Sequence, residues 1–195
     1  MRDEKARIRR EVAAAFAALS AGELERRGAA VRERLALLPE FRAARSFLLY
    51  APLPDEIDVN PLTDRLLAAG RPVFMPVCRE KPRGLDVVPL RDRGADLAPG
   101  AMGILEPRPG LAPVSAEDVE LVLVPGRAFD RRGRRVGRGA GYYDRFLAGL
   151  GARALRVAVA LDFQIRPAVP SADYDQPVDL VVTEGEVIRA GAGGS

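Results

Sequence analysis

Six short apolar runs, separated by segments with helical or turn-like patterns, constrain the fold of this chain more than any other feature. Apolar residues fill both faces of each run, which is typical of strands in a parallel sheet that helices cover on both sides. We therefore predict an α/β fold with a mostly parallel sheet flanked by helices, in a single domain over residues 1–189. The loops after Tyr50, Val77 and Val124 then lie at carboxyl ends of strands, where ligands of such sheets bind. The strands are predicted at 46–50, 71–77, 85–90, 120–124, 155–161 and 178–183.

Helical patterns occur in four segments. Residues 3–19 repeat apolar side chains at helical spacing. The segment Ser20–Glu23 has the pattern of a capping box, and Asn60-Pro61 resembles an N-cap followed by proline in the first turn. We predict helices over 3–19, 20–38, 60–70 and 141–150, an irregular segment over 94–113 and a disordered tail over 190–195.

The composition excludes several kinds of chemistry. Histidine is absent and Cys78 is the one cysteine, which excludes Ser-His-Asp and Cys-His catalysis, His-based metal sites and an internal disulfide. A net charge of +3 does not indicate a general nucleic-acid surface. No run approaches the roughly 18 apolar residues of a membrane span. We therefore predict a cytoplasmic monomer that binds neither nucleic acid nor a membrane.

The segment from Pro125 to Arg145 carries the clearest sign of ligand chemistry. It follows an apolar run and holds six arginines between positions 127 and 138, and then Gly137-x-Gly139-x-Gly141 before Tyr142-Tyr143-Asp144. Glycines let backbone N–H groups approach an anion, and a helix start adds its positive dipole end. The spacing is neither that of a Walker loop nor that of a dinucleotide fingerprint. The segment predicts a site for a nucleotide polyphosphate with Mg²⁺.

The same segment resembles a known family signature. The block Val-Pro-Gly-x-x-Phe-Asp-x-x-Gly-x-Arg-x-Gly-x-Gly-x-Gly-Tyr-Tyr-Asp-Arg, residues 124–145, is similar to that of the 5-formyltetrahydrofolate cyclo-ligases, or methenyltetrahydrofolate synthetases. The resemblance extends from Lys5 to Thr183. It implies conversion of 5-formyltetrahydrofolate and ATP into 5,10-methenyltetrahydrofolate, ADP and phosphate, with Mg²⁺ as the metal. The predicted architecture is similar to that of sugar-phosphate isomerases and CoA-transferases.

The resemblance implies that an N-terminal helix and the glycine loop bind ATP. Lys5 and Arg9 match the family's Lys-x-x-x-Arg; on spacing alone they share one helical face that solvent could cover. Ala140 occupies a position that is Gly or Lys in relatives. The implied ATP-binding residues are Lys5, Arg9, Arg135, Gly137, Arg138, Gly139, Ala140, Gly141, Tyr142 and Tyr143, of which Arg138 and Tyr142 are also the predicted catalytic residues.

Glu56 is the central residue of the implied folate site. It aligns with a family glutamate that holds the pterin ring, whose 2-amino and ring N–H groups form a donor pair for a carboxylate. This chain has Val59-Asn60 where the family usually has Thr. The implied folate-binding residues are Ala51, Glu56, Met102, Arg138 and Tyr142.

Asp144 and Asp175 are the predicted Mg²⁺ ligands. Asp144 could equally be an acid favoured by the first turn of a helix, and Asp175 could be an ordinary turn residue. Tyr174 stands where the family often has His.

Three alternative functions stay open. The chain could be a sugar-phosphate-binding relative of the same fold without ATP turnover. It could be a nucleic-acid-binding module that uses the arginine cluster, although interleaved aromatic residues are missing. It could also be an inactive folate- and nucleotide-binding homologue, for which Ala140 and Tyr174 are the only hints.

Overall fold

Three helices precede the first strand in the computed structural model, which describes residues 1–100, 105–150 and 154–191. The helices of these ranges are α1 (Arg2–Ala17), α2 (Ala21–Leu37), α3 (Pro39–Ala43), α4 (Asn60–Ala68), α5 (Arg93–Asp96) and α6 (Tyr142–Gly149). The strands are β1 (Phe47–Leu48), β2 (Val73–Glu80), β3 (Arg83–Leu90), β4 (Leu97–Pro99), β5 (Leu105–Pro107), β6 (Leu121–Leu123), β7 (Ala128–Asp130), β8 (Arg135–Val136), β9 (Leu155–Val159), β10 (Ile165–Arg166), β11 (Leu180–Val182) and β12 (Val187–Arg189).

Seven strands of the described ranges form one sheet, in the order β12-β11-β9-β6-β1-β2-β3. The five strands from β11 to β2 run parallel, and β12 and β3 are antiparallel at the two edges. In the register of β1, Phe47 lies opposite Val73 of β2 and Leu121 of β6. The predicted α/β fold with a mostly parallel sheet is confirmed.

Neighbouring residues of the central strands belong to different hydrophobic clusters, one on each face of the sheet. Phe47 and Leu121 pack in the cluster that includes residues of α1, α2 and α4. Leu48 and Val122 pack in the cluster that includes residues of α6. Because side chains alternate between the two faces of a strand, both positions must be apolar. This explains why the strands appear in the sequence as continuous apolar runs.

Two helix starts test the predicted capping residues. Half of the predicted capping box forms: the Ser20 hydroxyl accepts a hydrogen bond of 3.2 Å from the Glu23 N–H at the start of α2, whereas the Glu23 carboxylate accepts from Arg27. The prediction that Asn60 caps α4 is wrong, because Asn60 is itself helical and its N–H donates to Asp58 Oδ1 at 2.9 Å. Pro61 does lie in the first turn, where its missing N–H needs no partner.

The structure corrects two predictions about loops. The segment 94–113, predicted to be irregular, contains most of α5 and the antiparallel pair of β4 and β5, elements too short to produce a periodic pattern. The loop predicted after Val77 is wrong, because β2 continues to Glu80 and pairs with antiparallel β3. The end of β2 is exposed, so its residues are polar and the apolar run stops before the strand does.

A second sheet, of three strands within the described residues, carries the glycine-rich segment. β7 pairs antiparallel with β8 and parallel with β10. Gly133, between β7 and β8, has a φ of +75°, a conformation that glycine adopts without strain. These strands of two or three residues were not predicted.

In the ranges that the structure covers, no helix combines the length and the apolar character that crossing a membrane requires. Most of the predicted disordered tail, residues 192–195, lies outside the described residues, as do 101–104 and 151–153.

Candidate functional site

The segments predicted to bind ligands lie beyond the carboxyl ends of β1 and β6. The loop that carries Glu56 follows β1, and the glycine-rich segment follows β6. α1 contacts β7 and β8 of the second sheet, which brings the cations of this helix to the glycine-rich segment. Ligands of open α/β sheets bind at the carboxyl ends of the strands, so the topology supports the predicted location.

The loop before α6 is bent by its glycines and bonded to α1. Gly139 and Gly141 have φ values of +113° and +70°, which other residues rarely adopt, and Gly141 is the N-cap of α6. Arg9 Nε donates a hydrogen bond of 2.7 Å to the carbonyl oxygen of Gly137. Ala140 does not have a positive φ, so its methyl group requires no strained backbone.

Arg135 lies in the interior beside the first turn of α6. Its side chain is 3% exposed, and its Nη2 lies 2.7 Å from Asp144 Oδ1. The Gln176 N–H donates to the same carboxylate oxygen at 3.2 Å, and the Gln176 carbonyl oxygen accepts from Arg135 Nε at 3.2 Å. Burial lowers the pKa of Arg135, and the Asp144 carboxylate offsets part of this effect. Arg135 therefore belongs to an internal ion pair rather than to an open surface of the loop.

A second ion pair connects α1 to the segment between β10 and β11. Lys5 Nζ donates to Asp175 Oδ2, and the two side chains are 13% and 10% exposed. The Ala172 N–H donates to the same oxygen at 2.7 Å. A predicted ATP ligand, Lys5, and a predicted metal ligand, Asp175, are thus direct partners.

The two predicted metal ligands have a donor set that suits Mg²⁺ bound together with a nucleotide. Asp144 contacts Arg135, and the Asp175 carboxylate adds a smaller effect that raises the pKa of the same guanidinium. Asp144 Oδ2 and Asp175 Oδ1 accept no hydrogen bond from the described residues. Across those residues, no cluster of three or more His, Cys, Asp or Glu side chains forms a metal site. Two carboxylate oxygens suffice for Mg²⁺ when phosphate oxygens and waters complete the coordination.

Arg138 lies between two carboxylates of the loop after β1. Its Nε donates to Glu56 Oε1 at 3.0 Å, and its Nη2 donates to Asp55 Oδ1. The second carboxylate oxygen of Glu56 accepts from the Leu53 N–H at 3.0 Å. The glycine loop and the carboxylate predicted to hold the pterin are therefore in direct contact through Arg138.

The two carboxylates have opposite pKa shifts. Burial raises the pKa of Glu56, and the Leu53 N–H and Arg138 offset only part of this effect. Burial also raises the pKa of Asp55, but Arg138 and Arg127 together outweigh it, and the pKa falls below its ordinary value. As the pH falls, Glu56 therefore protonates before Asp55.

A cavity of about 410 Å³ opens beside Glu56. Its wall combines apolar side chains of α2 and of the loop after β1, such as Leu24 and Leu53, with three acidic residues, Glu25, Glu56 and Asp58. Of the five predicted folate residues, Ala51 and Glu56 line this cavity and Arg138 and Tyr142 do not. The fifth, Met102, lies outside the described residues. Apolar side chains with acidic residues among them suit a flat heterocycle that carries hydrogen-bond donors.

A smaller cavity of about 270 Å³ lies between α1 and the glycine loop. Four of its six lining residues are arginines, and two of these, Arg127 and Arg138, are paired with Asp55. The positive charge that remains suits an anionic ligand. Since Arg138 lines this cavity and its partner Glu56 lines the larger one, the two cavities adjoin at that ion pair. The lining residues are Arg9, Arg10, Ala13, Asp55, Arg127 and Arg138.

The two tyrosines after the glycine loop have different surroundings. The centroid of the Tyr142 ring lies 5.7 Å from the guanidinium carbon of Arg83 and 6.0 Å from that of Arg145, within the range of cation–π attraction. The Tyr143 hydroxyl is buried, and no described residue forms a hydrogen bond with it. Burial raises the pKa of Tyr143 well above its ordinary value.

Several residues of the site were not predicted. Asp55 and Arg127 form an ion pair with an N–O distance of 2.7 Å, Gln176 bonds both members of the Arg135 pair, and Leu24 lines the larger cavity. For Arg127 the sequence did contain a signal, because a charged residue directly after a buried strand needs a partner in the interior.

Fold and site together define an α/β protein with two adjoining ligand cavities at the carboxyl ends of its parallel strands. The sequence model of the 5-formyltetrahydrofolate cyclo-ligase family matches residues 1–184. The chain belongs to the 5-formyltetrahydrofolate cyclo-ligase family, and the family predicted from the glycine-rich block is confirmed.

Individual relatives agree with this assignment. The chain is 34% identical to the 5-formyltetrahydrofolate cyclo-ligase of Mycolicibacterium smegmatis over 145 residues, which cover 72% of this chain and 74% of the relative. Its structure is similar to that of the 5,10-methenyltetrahydrofolate synthetase of Aquifex aeolicus, with a TM-score of 0.84, 36% identity and coverage of 98% and 95% of the two chains. The Mycoplasma pneumoniae 5,10-methenyltetrahydrofolate synthetase shares the fold, with a TM-score of 0.74 at 18% identity over 93% of this chain and 99% of that one.

Proposed function

We propose that this chain catalyses the ATP-dependent cyclisation of 5-formyltetrahydrofolate to 5,10-methenyltetrahydrofolate, with release of ADP and phosphate. Family membership supports the reaction, and one contact supports its location, the 3.0 Å hydrogen bond from Arg138 to Glu56. This contact joins the loop proposed for the ATP phosphates to the carboxylate proposed for the pterin. Substrates bound on its two sides would have their reacting groups next to each other.

The chemistry requires activation of the formyl oxygen. The N5 formyl group is an amide, so its oxygen is a poor leaving group. In the proposed mechanism this oxygen attacks the γ-phosphorus of ATP and the bond to ADP breaks, which leaves an iminium phosphate. N10 of the same molecule then attacks the formyl carbon and loses its proton, and the carbon–oxygen bond breaks to release phosphate. The second step is intramolecular, so correct positioning supplies much of the rate.

The proposed task of the protein is to position both substrates and to neutralise the phosphoryl charge. Lys5, Arg9 and the amides of the glycine loop would bind the phosphates, with Arg138 and Tyr142 at the transferring group. The donors of the pterin compete with Arg138 for Glu56. Folate binding would therefore free the Arg138 guanidinium from one of its two carboxylates and make it available to the phosphoryl group.

The proposal includes Mg²⁺, which would neutralise charge on the ATP phosphates when bound. Asp144 and Asp175 are the residues that would hold it. Folate and ATP are the proposed partners, in a cytoplasmic monomer without nucleic-acid or membrane contacts. The free, exposed Cys78 fits a reducing compartment.

The departures at Ala140 and Tyr174 do not favour an inactive homologue. Ala140 needs no positive φ. The Tyr174 side chain is 70% exposed, and the neighbouring Asp175 still pairs with Lys5. Neither substitution alters the arrangement on which the proposal depends.

An absorbance assay for methenyltetrahydrofolate tests the proposal. Purified protein is mixed with 5-formyltetrahydrofolate, with ATP and Mg²⁺ added together or omitted one at a time. We expect product only when both are present, together with one ADP for each product formed. ATP binding without product would contradict the proposed activity and favour the inactive homologue.

A further inference from the structure

Arg127 is a buried cation that the proposed mechanism does not use. It follows Pro125-Gly126 at the end of β6, and its side chain is 4% exposed. A charged group is rarely buried unless it is paired and hydrogen-bonded, because desolvation is costly. Its partners therefore indicate what it stabilises.

The partners of Arg127 come from two other elements. Its Nη1 lies 2.7 Å from Asp55 Oδ2 and donates a second hydrogen bond, of 3.0 Å, to the backbone carbonyl oxygen of Asp55. Its guanidinium carbon lies 5.7 Å from the centroid of the Phe16 ring of α1. The Arg127 N–H donates to the Val136 carbonyl oxygen at 2.7 Å, which fixes the backbone against β8. Arg127 is thus held by α1 and β8 in addition to its contacts with the loop after β1.

Asp55 connects Arg127 to the residues that are proposed to bind the substrates. Its Oδ2 pairs with Arg127 and its Oδ1 with Arg138, and Arg138 Nε bonds Glu56 Oε1 at 3.0 Å. A row of alternating charges, Arg127–Asp55–Arg138–Glu56, therefore runs from the interior to the wall of the larger cavity. Side-chain exposure is 4% for Arg127, 34% for Asp55, 41% for Arg138 and 9% for Glu56, so the row is buried at both ends. Arg127 is the buried end away from the larger cavity, and it holds the exposed middle of the row in place.

We propose that Arg127 is a positioning residue for 5-formyltetrahydrofolate. It holds both the carboxylate and the backbone of Asp55, and Asp55 in turn orients Arg138 and the neighbouring Glu56. The inference rests on the proposed function, because it assigns Glu56 to the pterin. Arg127 also lines the smaller cavity, but its side chain is 4% exposed and already paired with Asp55. Lys5, Arg9 and the glycine loop have other anchors, so we expect ATP binding to depend on Arg127 less than folate binding does.

Calorimetric affinities of the full chain for 5-formyltetrahydrofolate and for ATP test this role. Arg127→Met removes the charge, Arg127→Lys keeps it, and Asp55→Asn removes the transmitting carboxylate while Arg127 stays. We expect Arg127→Met and Asp55→Asn each to weaken folate binding about tenfold, the size typical of coupled residues in one ion-pair network, with ATP affinity changed by less than about twofold. Arg127→Lys recovers part of the loss, and the double variant binds folate no more weakly than the worse single variant.

Other outcomes overturn the inference. Equal weakening of ATP and folate binding, or an unchanged folate affinity with only a lower melting temperature, would mean that Arg127 has a structural role alone. Additive losses in the double variant would mean that it does not act through Asp55. If Arg127→Met fails to fold, Asp55→Asn decides, since wild-type folate affinity in that variant excludes the role. A wild-type chain that binds folate without forming methenyl product contradicts the proposed function but leaves this comparison of affinities valid.

Discussion

Two ion-pair centres of the site contain the same residue types and differ in burial. Arg135, paired with Asp144, has 3% of its side chain exposed, whereas Arg138, paired with Asp55 and Glu56, has 41% exposed. Removing one partner of a buried pair costs about 3–5 kcal/mol, whereas an exposed pair contributes about 0–1 kcal/mol. We infer that the buried pair stabilises the fold around the site. The more exposed pair can separate at a smaller cost in free energy, so its members can bind substrates instead of each other.

The largest effect should come from the exposed centre, and it should fall on activity. Arg138→Met removes the cation proposed to stabilise the transferring phosphoryl group, so we expect turnover to fall about 100- to 1,000-fold. The free energy of unfolding should fall by less than it does in Asp144→Ala, because Arg138 and Asp55 are 41% and 34% exposed, although Glu56 is 9% exposed. Turnover assays and urea denaturation measure the two quantities. Arg131→Met is the matched control, since Arg131 is 65% exposed and pairs with Glu186 at 2.6 Å; it should alter neither quantity.

At the buried centre the loss should appear in stability as well as in turnover. Asp144→Ala leaves the Arg135 cation without its carboxylate, so we expect the free energy of unfolding to fall by about 3 kcal/mol. Asp144→Asn keeps an oxygen that accepts from Arg135 and Gln176, and it should therefore lose less stability. Both variants should lower turnover about 100-fold through the loss of a charged Mg²⁺ ligand. Wild-type stability in both variants would mean that the buried pair contributes no net stabilisation, whereas equal losses in the two would mean that the retained oxygen of Asn contributes none.

The raised pKa of Glu56 leads to a pH-dependent affinity. A carboxyl group with a raised pKa takes up its proton at a higher pH, and a protonated Glu56 cannot accept both pterin donors. Affinity for 5-formyltetrahydrofolate should therefore fall on acidification, starting above the ordinary glutamate value of about 4.3. Calorimetry across this range measures the effect. Glu56→Gln should bind 5-formyltetrahydrofolate more weakly at neutral pH, and its affinity should change less with pH. If the affinity of this variant still changes with pH as it does in the wild type, the titrating group belongs to the substrate.

The smallest effect should follow removal of the Tyr143 hydroxyl. Its oxygen is buried and bonds none of the described residues, and an unsatisfied buried polar group costs about 1–3 kcal/mol. Tyr143→Phe should therefore raise the free energy of unfolding by about 1 kcal/mol, in contrast to the loss expected for Asp144→Ala. Chemical denaturation measures it. Tyr174→Phe is the control, because this side chain is 70% exposed and its hydroxyl should not affect stability. A loss of stability in Tyr143→Phe would show that the Tyr143 hydroxyl does have a hydrogen-bond partner.

The sequence predicted the fold where a strand is buried on both faces. The runs around Phe47 and Leu121 are apolar because each strand contributes to two clusters, and such runs are visible without a structure. The exposed end of β2 and the short strands β7, β8 and β10 were missed because polar or very short segments show no period.

The sequence predicted which residues belong to the site, but it did not predict which of them form ion pairs with one another. The resemblance selected Glu56, Arg138 and Asp144, but it did not indicate that Glu56 and Arg138 contact each other or that Arg135 holds Asp144 in the interior. The pairs Glu56–Arg138 and Asp55–Arg127 join residues 82 and 72 positions apart. Such pairs depend on how the loops pack, and spacing along the chain carries no information about that. Arg127 is the clearest example, because its neighbours in sequence do not include its partner Asp55.

The ion pair between Lys5 and Asp175 spans 170 positions of the chain. During synthesis, α1 therefore leaves the ribosome long before the segment that carries its partner. Contacts of such high sequence separation are slow to form, because a long loop must close before the contact contributes any stabilisation. The nucleotide side of the site is consequently among the last parts of the protein to be completed, and a nascent chain that stops short of Asp175 leaves the cation of α1 without its carboxylate.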